Sequence, residues 1–129
     1  MFKEMSLVCR ALSDPTRLRI VKLLAVSELP VCELMLLLAA GQSRVSQNLA
    51  TLKHADLVTD VRRERLVYYA LNRARFERFM AELQGLIGNA DLEDIPDMRD
   101  EAARWRTLHK NGRIALCSPA QAGLGTRSN

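Results

Sequence analysis

The polar side chains between Gly41 and Asp56 are of the types that read nucleic acid. Within this stretch Val45, Leu49 and Leu52 recur at helical spacing, which predicts a helix with one inward apolar stripe. Most other positions carry amides, hydroxyls or an arginine, groups that hydrogen-bond to base edges and phosphates. A merely solvated helix face usually carries Glu–Lys pairs, and no acid occurs here before Asp56. The candidate DNA-contacting residues are Gln42, Ser43, Arg44, Ser46, Gln47, Asn48 and Thr51.

A second basic group lies in a short charged turn. The segments Leu57–Val61 and Leu66–Leu71 are rich in Val and Tyr, which favours two strands of a β-hairpin. The turn between them carries Arg62, Arg63 and Arg65, and the positive excess of the chain, +4 overall, lies in its first two-thirds. Many charged turns are simply solvated. Beside a recognition helix, however, these arginines could lie along phosphates or in the minor groove.

Three cysteines, Cys9, Cys32 and Cys117, could bind soft ions such as As(III), Sb(III), Cu(I) or Cd(II), or undergo thiol redox chemistry. Their odd number and wide spacing do not suggest a disulfide framework. The chain also lacks a signal-peptide pattern and any apolar stretch of about 18 residues. We therefore expect a cytoplasmic protein with free thiols and no membrane partner. Simpler interpretations are a core position for Cys9 and an incidental thiol in a flexible tail for Cys117.

The rest of the pattern predicts the elements that position these groups. Apolar spacing predicts a helix over Phe2–Leu12, and the Asp14-Pro15 pair predicts the start of a second helix. A Leu-rich helix over Val31–Ala40 is apolar on nearly every side, so we expect it to be buried. Gly41 would end that helix just before the polar one begins.

Further helices are predicted after the hairpin. Asn72 caps one helix, Asp91–Asp97 is an acidic linker, and Met98–His109 forms a last helix. The predicted fold class is therefore mainly α (α+β), a winged helix-turn-helix of order α-α-α-α-β-β-α with an extra C-terminal helix. The predicted regions are residues 1–90 for the winged helix-turn-helix, 91–112 for the linker and C-terminal helix, and 113–129 for a flexible tail.

Three motifs occur in order along the chain: Ala11–Ile20, Gln42–Leu49 and Leu57–Tyr69. They resemble the opening signature, the recognition helix and the wing of the ArsR/SmtB family of metalloregulatory repressors, arsenical-resistance type, over about residues 4–88. The resemblance implies a homodimer formed by the first helix and the helix after the wing, so residues 1–90 would bind DNA and dimerise. It also implies repression at a double-stranded operator that a bound ligand relieves.

The segment Glu28–Leu34 resembles the arsenic- and antimony-sensing segment of the same family, which carries three cysteines on that helix. Only Cys32 matches, since Pro30 and Met35 occupy the other two cysteine positions. A three-thiolate As(III) or Sb(III) site would therefore need the two other cysteines, from one subunit or across the dimer. The family's zinc or nickel site on the helix after the wing has no histidine ligands here.

The wing turn departs from the family pattern. Glu64 stands where the family usually has glycine, and a positive φ would strain a glutamate. We therefore expect the tip to adopt another kind of turn.

The leading hypothesis is a DNA-binding repressor that needs no cofactor to bind DNA. It would release its operator when As(III) or Sb(III) binds Cys32, Cys117 and Cys9. The alternatives are a thiol-redox or persulfide-responsive repressor without metal, and a winged-helix module that binds only proteins. An enzyme is not expected, because only His54 and His109 could serve as histidine bases and no phosphate loop or paired-carboxylate cleft is visible.

Overall fold

The computed structural model describes residues 1–88 and 90–110 of the chain. Within them the helices are α1 (Phe2–Ala11), α2 (Pro15–Val26), α3 (Val31–Leu38), α4 (Gln42–His54), α5 (Arg73–Ile87) and α6 (Arg99–Lys110). The strands are β1 (Leu29–Pro30), β2 (Val58–Arg63) and β3 (Leu66–Leu71). None of these described helices is long and apolar enough to cross a membrane.

The chain divides into two compact units, Met1–Gln84 and the part that starts at Gly85. The predicted boundary near residue 90 stays a prediction. The predicted tail, residues 113–129, lies outside the described residues.

A small antiparallel sheet of order β1-β3-β2 contains the predicted hairpin. β2 and β3 pair along their whole lengths, which leaves a two-residue turn of Glu64 and Arg65. β1 is a third strand that the sequence pattern did not predict, with Leu29 and Pro30 antiparallel to β3. Two residues are too few to show strand alternation, and Pro30 has the appearance of a helix start. The observed order is therefore α-α-β-α-α-β-β-α followed by α6.

The core of the first unit forms where its helices meet the base of the hairpin. The cap predicted for α2 is confirmed, since Asp14 accepts the backbone N–H of Arg17 at 3.1 Å and Pro15 is the first helical residue. The apolar stripe predicted for α4 is also confirmed as buried. Each large side chain removed from water in this way contributes about 1.5–3 kcal/mol. The fully buried side chains are Val8, Ile20, Leu34, Val45, Leu49, Leu52, Leu57 and Val58.

Helix α3 is shorter and less buried than its composition predicts. It ends where Ala39 turns into the left-handed region at φ 51, which caps the helix. Because α3 has only two turns, it buries one side: Leu34 is inside, whereas Leu36 and Leu37 are 82% and 59% exposed. The expectations of a buried helix and of a stop at Gly41 are therefore wrong. Gly41 is instead the N-cap of α4.

The second unit contains α6 and two 3-10 turns, Leu92–Asp94 and Pro96–Met98. These turns occupy the segment predicted as an acidic linker, and its role as a linker stays a prediction. The last predicted helix is confirmed to within one residue at each end. Its apolar face is only partly covered, because Ala102 is buried while Trp105 is 53% exposed and stacks on His109 at 3.6 Å between ring centroids.

Candidate nucleic-acid interface

The face of α4 opposite its buried stripe is open to solvent. Ser43, Ser46 and Gln47, all predicted DNA contacts, are exposed, and their side chains have no hydrogen-bond partner among the described residues. Helical spacing adds Ala50 and His54 to the same exposed face. The sequence interpretation did not name these two as contacts, although the same spacing identifies them. The exposed face thus offers a carboxamide, two hydroxyls, a methyl group and an imidazole.

Three of the other predicted contacts on α4 lie on the side that faces α2 and hydrogen-bond within the protein, whereas Gln42 lies beside α3 and β3. Arg44 Nη2 donates to the hydroxyl of Thr16 at 2.9 Å. Asn48 Nδ2 donates to the carbonyl of Arg44 at 3.0 Å, and its Oδ1 accepts from Arg17 Nη1 at 3.1 Å. The Thr51 hydroxyl donates to the backbone carbonyl one turn earlier, at 3.1 Å. Both polar atoms of the Asn48 amide are therefore engaged, so this side chain holds α4 rather than presenting a free amide.

Arg17 is the residue that fastens this side of α4. Its Nε donates to the carbonyl of Ala11 at 2.6 Å, and its Nη2 donates to the carbonyl of Arg10 at 3.3 Å. With the bond to Asn48, one guanidinium joins the end of α1, the start of α2 and the middle of α4. The sequence interpretation included Arg17 in a motif without giving it a role. Its partner on α4 is 31 residues away, so no local spacing could reveal the contact.

The hairpin formed by β2 and β3, hereafter the wing, lies on the opposite side of α4. Its residue Arg63 forms a two-fold ion pair with the Glu28 carboxylate and lies over the Tyr68 ring, 5.3 Å from the centroid. Glu28 immediately precedes β1, so this pair ties the wing to the chain that leads into α3. Arg62 and Arg65 are exposed and have no side-chain partner among the described residues. Of the three predicted wing contacts, two are therefore available without breaking an ion pair.

The tip of the wing differs from the expected turn. Glu64 has φ 54, in the left-handed region, so the chain keeps the backbone conformation for which glycine is suited and places a glutamate in it. The expectation that Glu64 would force another turn is wrong. The two-residue connection between Arg63 and Leu66 needs a positive φ to reverse the chain within the pairing of β2 and β3. A non-glycine residue in this region costs about 1–2 kcal/mol.

A second ion pair lies on the wing side of α4. Lys53 Nζ is 2.8 Å from the Asp60 carboxylate on β2. The hydrogen bond to Asp60 and the charge of that carboxylate raise the pKa of Lys53 above its ordinary value. Lys53 is therefore fully protonated at neutral pH, but its charge is compensated by Asp60.

The described cysteines are both exposed. Cys32 lies in the first turn of α3, and Cys9 lies on α1. The core interpretation of Cys9 is therefore wrong. The buried stripe of α1 runs through Met5 and Val8, and Cys9 is rotated away from it by about a quarter of a turn. Cys117 lies outside the described residues.

Cys32 opens onto a cavity of about 300 Å³ that lies between α3, the start of α4 and the wing. Met35 lines the same cavity, as do Gln42 of α4 and Arg65 of the wing. Within the described ranges no group of three His, Cys, Asp or Glu side chains could hold a metal ion. A complete three-thiolate site is thus not formed by the described residues, and Cys32 is the one described thiol that lines this cavity.

These features agree with comparisons to known proteins. The model of bacterial regulatory proteins of the arsR family matches residues 14–60. Over 82 residues the chain is 32% identical to the arsenical resistance operon repressor of Staphylococcus aureus, and the match covers 64% of this chain and 79% of that protein. The chain belongs to the ArsR family. Members of this family are DNA-binding transcriptional regulators, which confirms the expectation that the chain is not an enzyme.

Other known proteins are also similar to the chain. Over 66 residues it is 44% identical to the arsenic resistance transcriptional regulator ArsR2 of Pseudomonas putida, across 50% of this chain. The chain spans only 57% of the length of ArsR2 and 64% of that of ArsR1 from the same organism. A solved structure, the homodimeric winged helix-turn-helix DNA-binding domain Mb0332 of Mycobacterium bovis, is 26% identical with a TM-score of 0.55, covering 66% of this chain and 83% of that one. The predicted winged helix-turn-helix fold is thus confirmed.

Proposed function

We propose that this ArsR-family protein is a homodimeric repressor that reads its operator through α4 and the wing. We propose further that it releases the operator when a thiophilic inducer, As(III) or Sb(III), binds Cys32. The observation that carries the first part is the exposed, acid-free face of α4 beside an arginine-bearing hairpin.

The dimensions of α4 suit the major groove. An α-helix with its side chains is about 10–12 Å across, and the groove of B-DNA is about 12 Å wide. Gln47 would bridge the N6 and N7 atoms of an adenine, and Ser43 and Ser46 would contact bases or phosphates. Arg62 and Arg65 would then lie along the backbone or the minor groove next to the wing.

Two copies of α4 are needed to read a two-fold symmetric operator. We propose that α1 and α5 form the dimer, as the family resemblance implies. The exposed apolar side chain of Met80 on α5 supports this surface, because an apolar side chain gains nothing from exposure to water. The two α4 helices would then meet half-sites about 34 Å apart, one turn of DNA.

The inducer proposal depends on the position of Cys32. Thiolates favour As(III) and Sb(III) over hard ions, and similar proteins carry names that refer to arsenic resistance. Because Gln42 and Arg65 line the cavity that Cys32 faces, an ion bound there would displace side chains of both DNA-reading elements. Since α3 has only one thiol, the remaining sulfur donors would be Cys9 or Cys117, from the same subunit or its partner.

DNA reading is tested with an operator selected by the wild-type protein from a library of random duplexes. Gln47→Ala should lose about 1–3 kcal/mol of discrimination at one base position of each half-site. A second variant, Thr51→Ala, should also weaken operator binding. Its matched control is Thr107→Ala on α6, which should not weaken binding, because both exposed hydroxyls donate to the carbonyl four residues earlier. Unchanged discrimination in Gln47→Ala would contradict the orientation of α4 in the groove.

The inducer is tested by titrating that complex with arsenite, antimonite, Cd(II), Zn(II) and a persulfide donor. Arsenite and antimonite should release the wild-type protein and fail to release Cys32→Ser. Cys9→Ser shows whether the second described thiol takes part. Normal release of Cys32→Ser would move the sensing site away from α3.

A second candidate is control by thiol oxidation or persulfidation without metal, which the exposure of both described thiols favours. The same titration separates the two. Release by the persulfide donor, with no response to arsenite or antimonite, would establish this alternative and exclude the metalloid proposal.

A further inference from the structure

We infer that α4 is flanked by a second basic surface, on its α2 side, which binds the phosphates of the DNA strand opposite the wing. This inference rests on the proposed DNA-binding function and adds a contact region that lies outside α4 and the wing. We call the surface the α2 shoulder. It consists of Arg10, Ser13, Thr16, Arg17 and Arg19.

The first part of the surface is a concavity beside the C-terminal half of α4. A cavity of about 390 Å³ is lined by Arg10, Ser13 and Arg17 of the shoulder and by Thr51 and His54 of α4. Two guanidinium groups, two hydroxyls and an imidazole are all groups that hydrogen-bond to phosphate oxygens. No described acidic residue lines this cavity.

The second part lies beside the N-terminal half of α4. A cavity of about 220 Å³ is lined by Thr16 and Arg19 of the shoulder and by Arg44 of α4, together with apolar side chains from the end of α3 and from the α3–α4 connection. Again no described acid lines it. Arg44 and Thr51 are two turns apart, about 10 Å along the helix, so the two cavities follow one side of α4 over a distance that spans neighbouring phosphates.

None of the arginines of this surface, nor Arg44, forms an ion pair with a described acid. The guanidinium of Arg17 donates to two carbonyls and an amide, and that of Arg44 donates to a hydroxyl. Arg10 and Arg19 are exposed, and their guanidinium groups have no partner among the described residues. Asp14 keeps its negative charge while its carboxylate accepts the backbone N–H of Arg17 at the start of α2, and it forms no ion pair with these arginines.

The groove itself places a phosphate strand at this surface. A helix that fills the major groove has one sugar-phosphate strand along each side. The wing covers one side of α4, and the shoulder covers the other, because Thr16 and Arg17 contact Arg44 and Asn48 there. The partner of the shoulder is therefore the DNA backbone, and its contribution is electrostatic and independent of sequence.

The test compares salt dependence in full-length variants. The probes are the selected operator and a random duplex of about two helical turns, roughly 20 base pairs. For Arg10→Ala and Arg19→Ala, the slope of log K against log [salt] should fall in magnitude by about 0.9 per lost phosphate contact on both probes. Arg10→Lys and Arg19→Lys, which keep the charge, should retain most of the slope.

The matched control is Arg104→Ala, which removes an exposed, unpaired arginine from α6 and should leave the slope unchanged. Thermal unfolding of each variant shows whether the fold is retained. Slopes that stay at the wild-type value in both alanine variants, with operator discrimination intact, would overturn the shoulder and leave the proposed function standing. A wild-type protein that binds neither duplex would overturn both.

Discussion

The wing side and the α2 side of α4 both carry basic residues, but they hold them with different partners. On the wing side Lys53 pairs with Asp60, and Arg63 pairs with Glu28. On the α2 side Arg17 and Arg44 donate only to neutral oxygens. An ion pair fixes a cation and cancels its field, whereas a bond to a carbonyl or hydroxyl fixes it and leaves the charge. The count of arginines on a surface is therefore a poor guide to its attraction for phosphate.

The two kinds of partner should also differ in how much they stabilise the fold. Exposed ion pairs such as those of the wing contribute little, typically about 0.2–1 kcal/mol. Hydrogen bonds from a half-buried charged group contribute more, because their loss leaves several acceptors without a partner. The α2 side of α4 should therefore be the more firmly held of the two, and the wing the part that moves more easily.

The largest expected effect is on Arg17. Arg17→Ala removes three side-chain hydrogen bonds that join α1, α2 and α4, so the free energy of unfolding should fall by about 1.5–3 kcal/mol. Arg63→Ala, the matched change on the wing, should cost about 0.2–1 kcal/mol. Urea denaturation of both variants measures the difference. Equal losses would show that the two sides are held equally and would break the comparison.

How much of the fold the sequence predicts depends on how far apart along the chain the interacting residues lie. The α2 cap and the buried stripe of α4 were predictable because Asp14, Val45, Leu49 and Leu52 act within a few residues of chain. Strand β1 was not predictable, since a strand of two residues is too short to show alternation of side chains.

The candidate site was only partly predictable for the same reason. The spacing of polar residues on α4 identified Gln47 as exposed, but it also favoured Asn48, whose partner on α2 is 31 residues away. Arg63 likewise seemed free until Glu28, 35 residues away, was found beside it. Cys9 seemed a core residue because the apolar positions of the first helix include both Val8 and Cys9, and only the former lies on the buried stripe.

The wing tip provides an intermediate effect. Glu64→Gly should raise the free energy of unfolding by about 1 kcal/mol, because glycine adopts φ 54 without the clash of a side chain. Arg65→Gly is the control: Arg65 is absent from the positive-φ residues of the described chain, so glycine there should destabilise the hairpin. Chemical denaturation compares the two variants. A loss of stability in Glu64→Gly would show that the tip is not strained.

The smallest expected effect comes from releasing the wing residue Arg63 from its ion pair. Glu28→Gln frees Arg63, so stability should fall by less than about 1 kcal/mol while the salt slope of DNA binding steepens by up to about 0.9. Glu93→Gln is the matched control, because it breaks the Arg106–Glu93 pair of the second unit with the same change of charge. Equal steepening in both variants would mean that net charge, and not release of the wing arginine, causes the effect.

The most direct test follows the side-chain amides of Gln47 and Asn48 by NMR during titration with the selected operator. These neighbouring amides differ in the free protein, since Gln47 is unpartnered among the described residues and Asn48 is bonded through both polar atoms. The Gln47 signals should shift strongly at saturation, while those of Asn48 should shift much less, because its amide keeps its bonds to Arg17 and Arg44. A Gln47 amide that is unmoved in a fully bound complex would contradict a DNA-reading role for the outer face of α4.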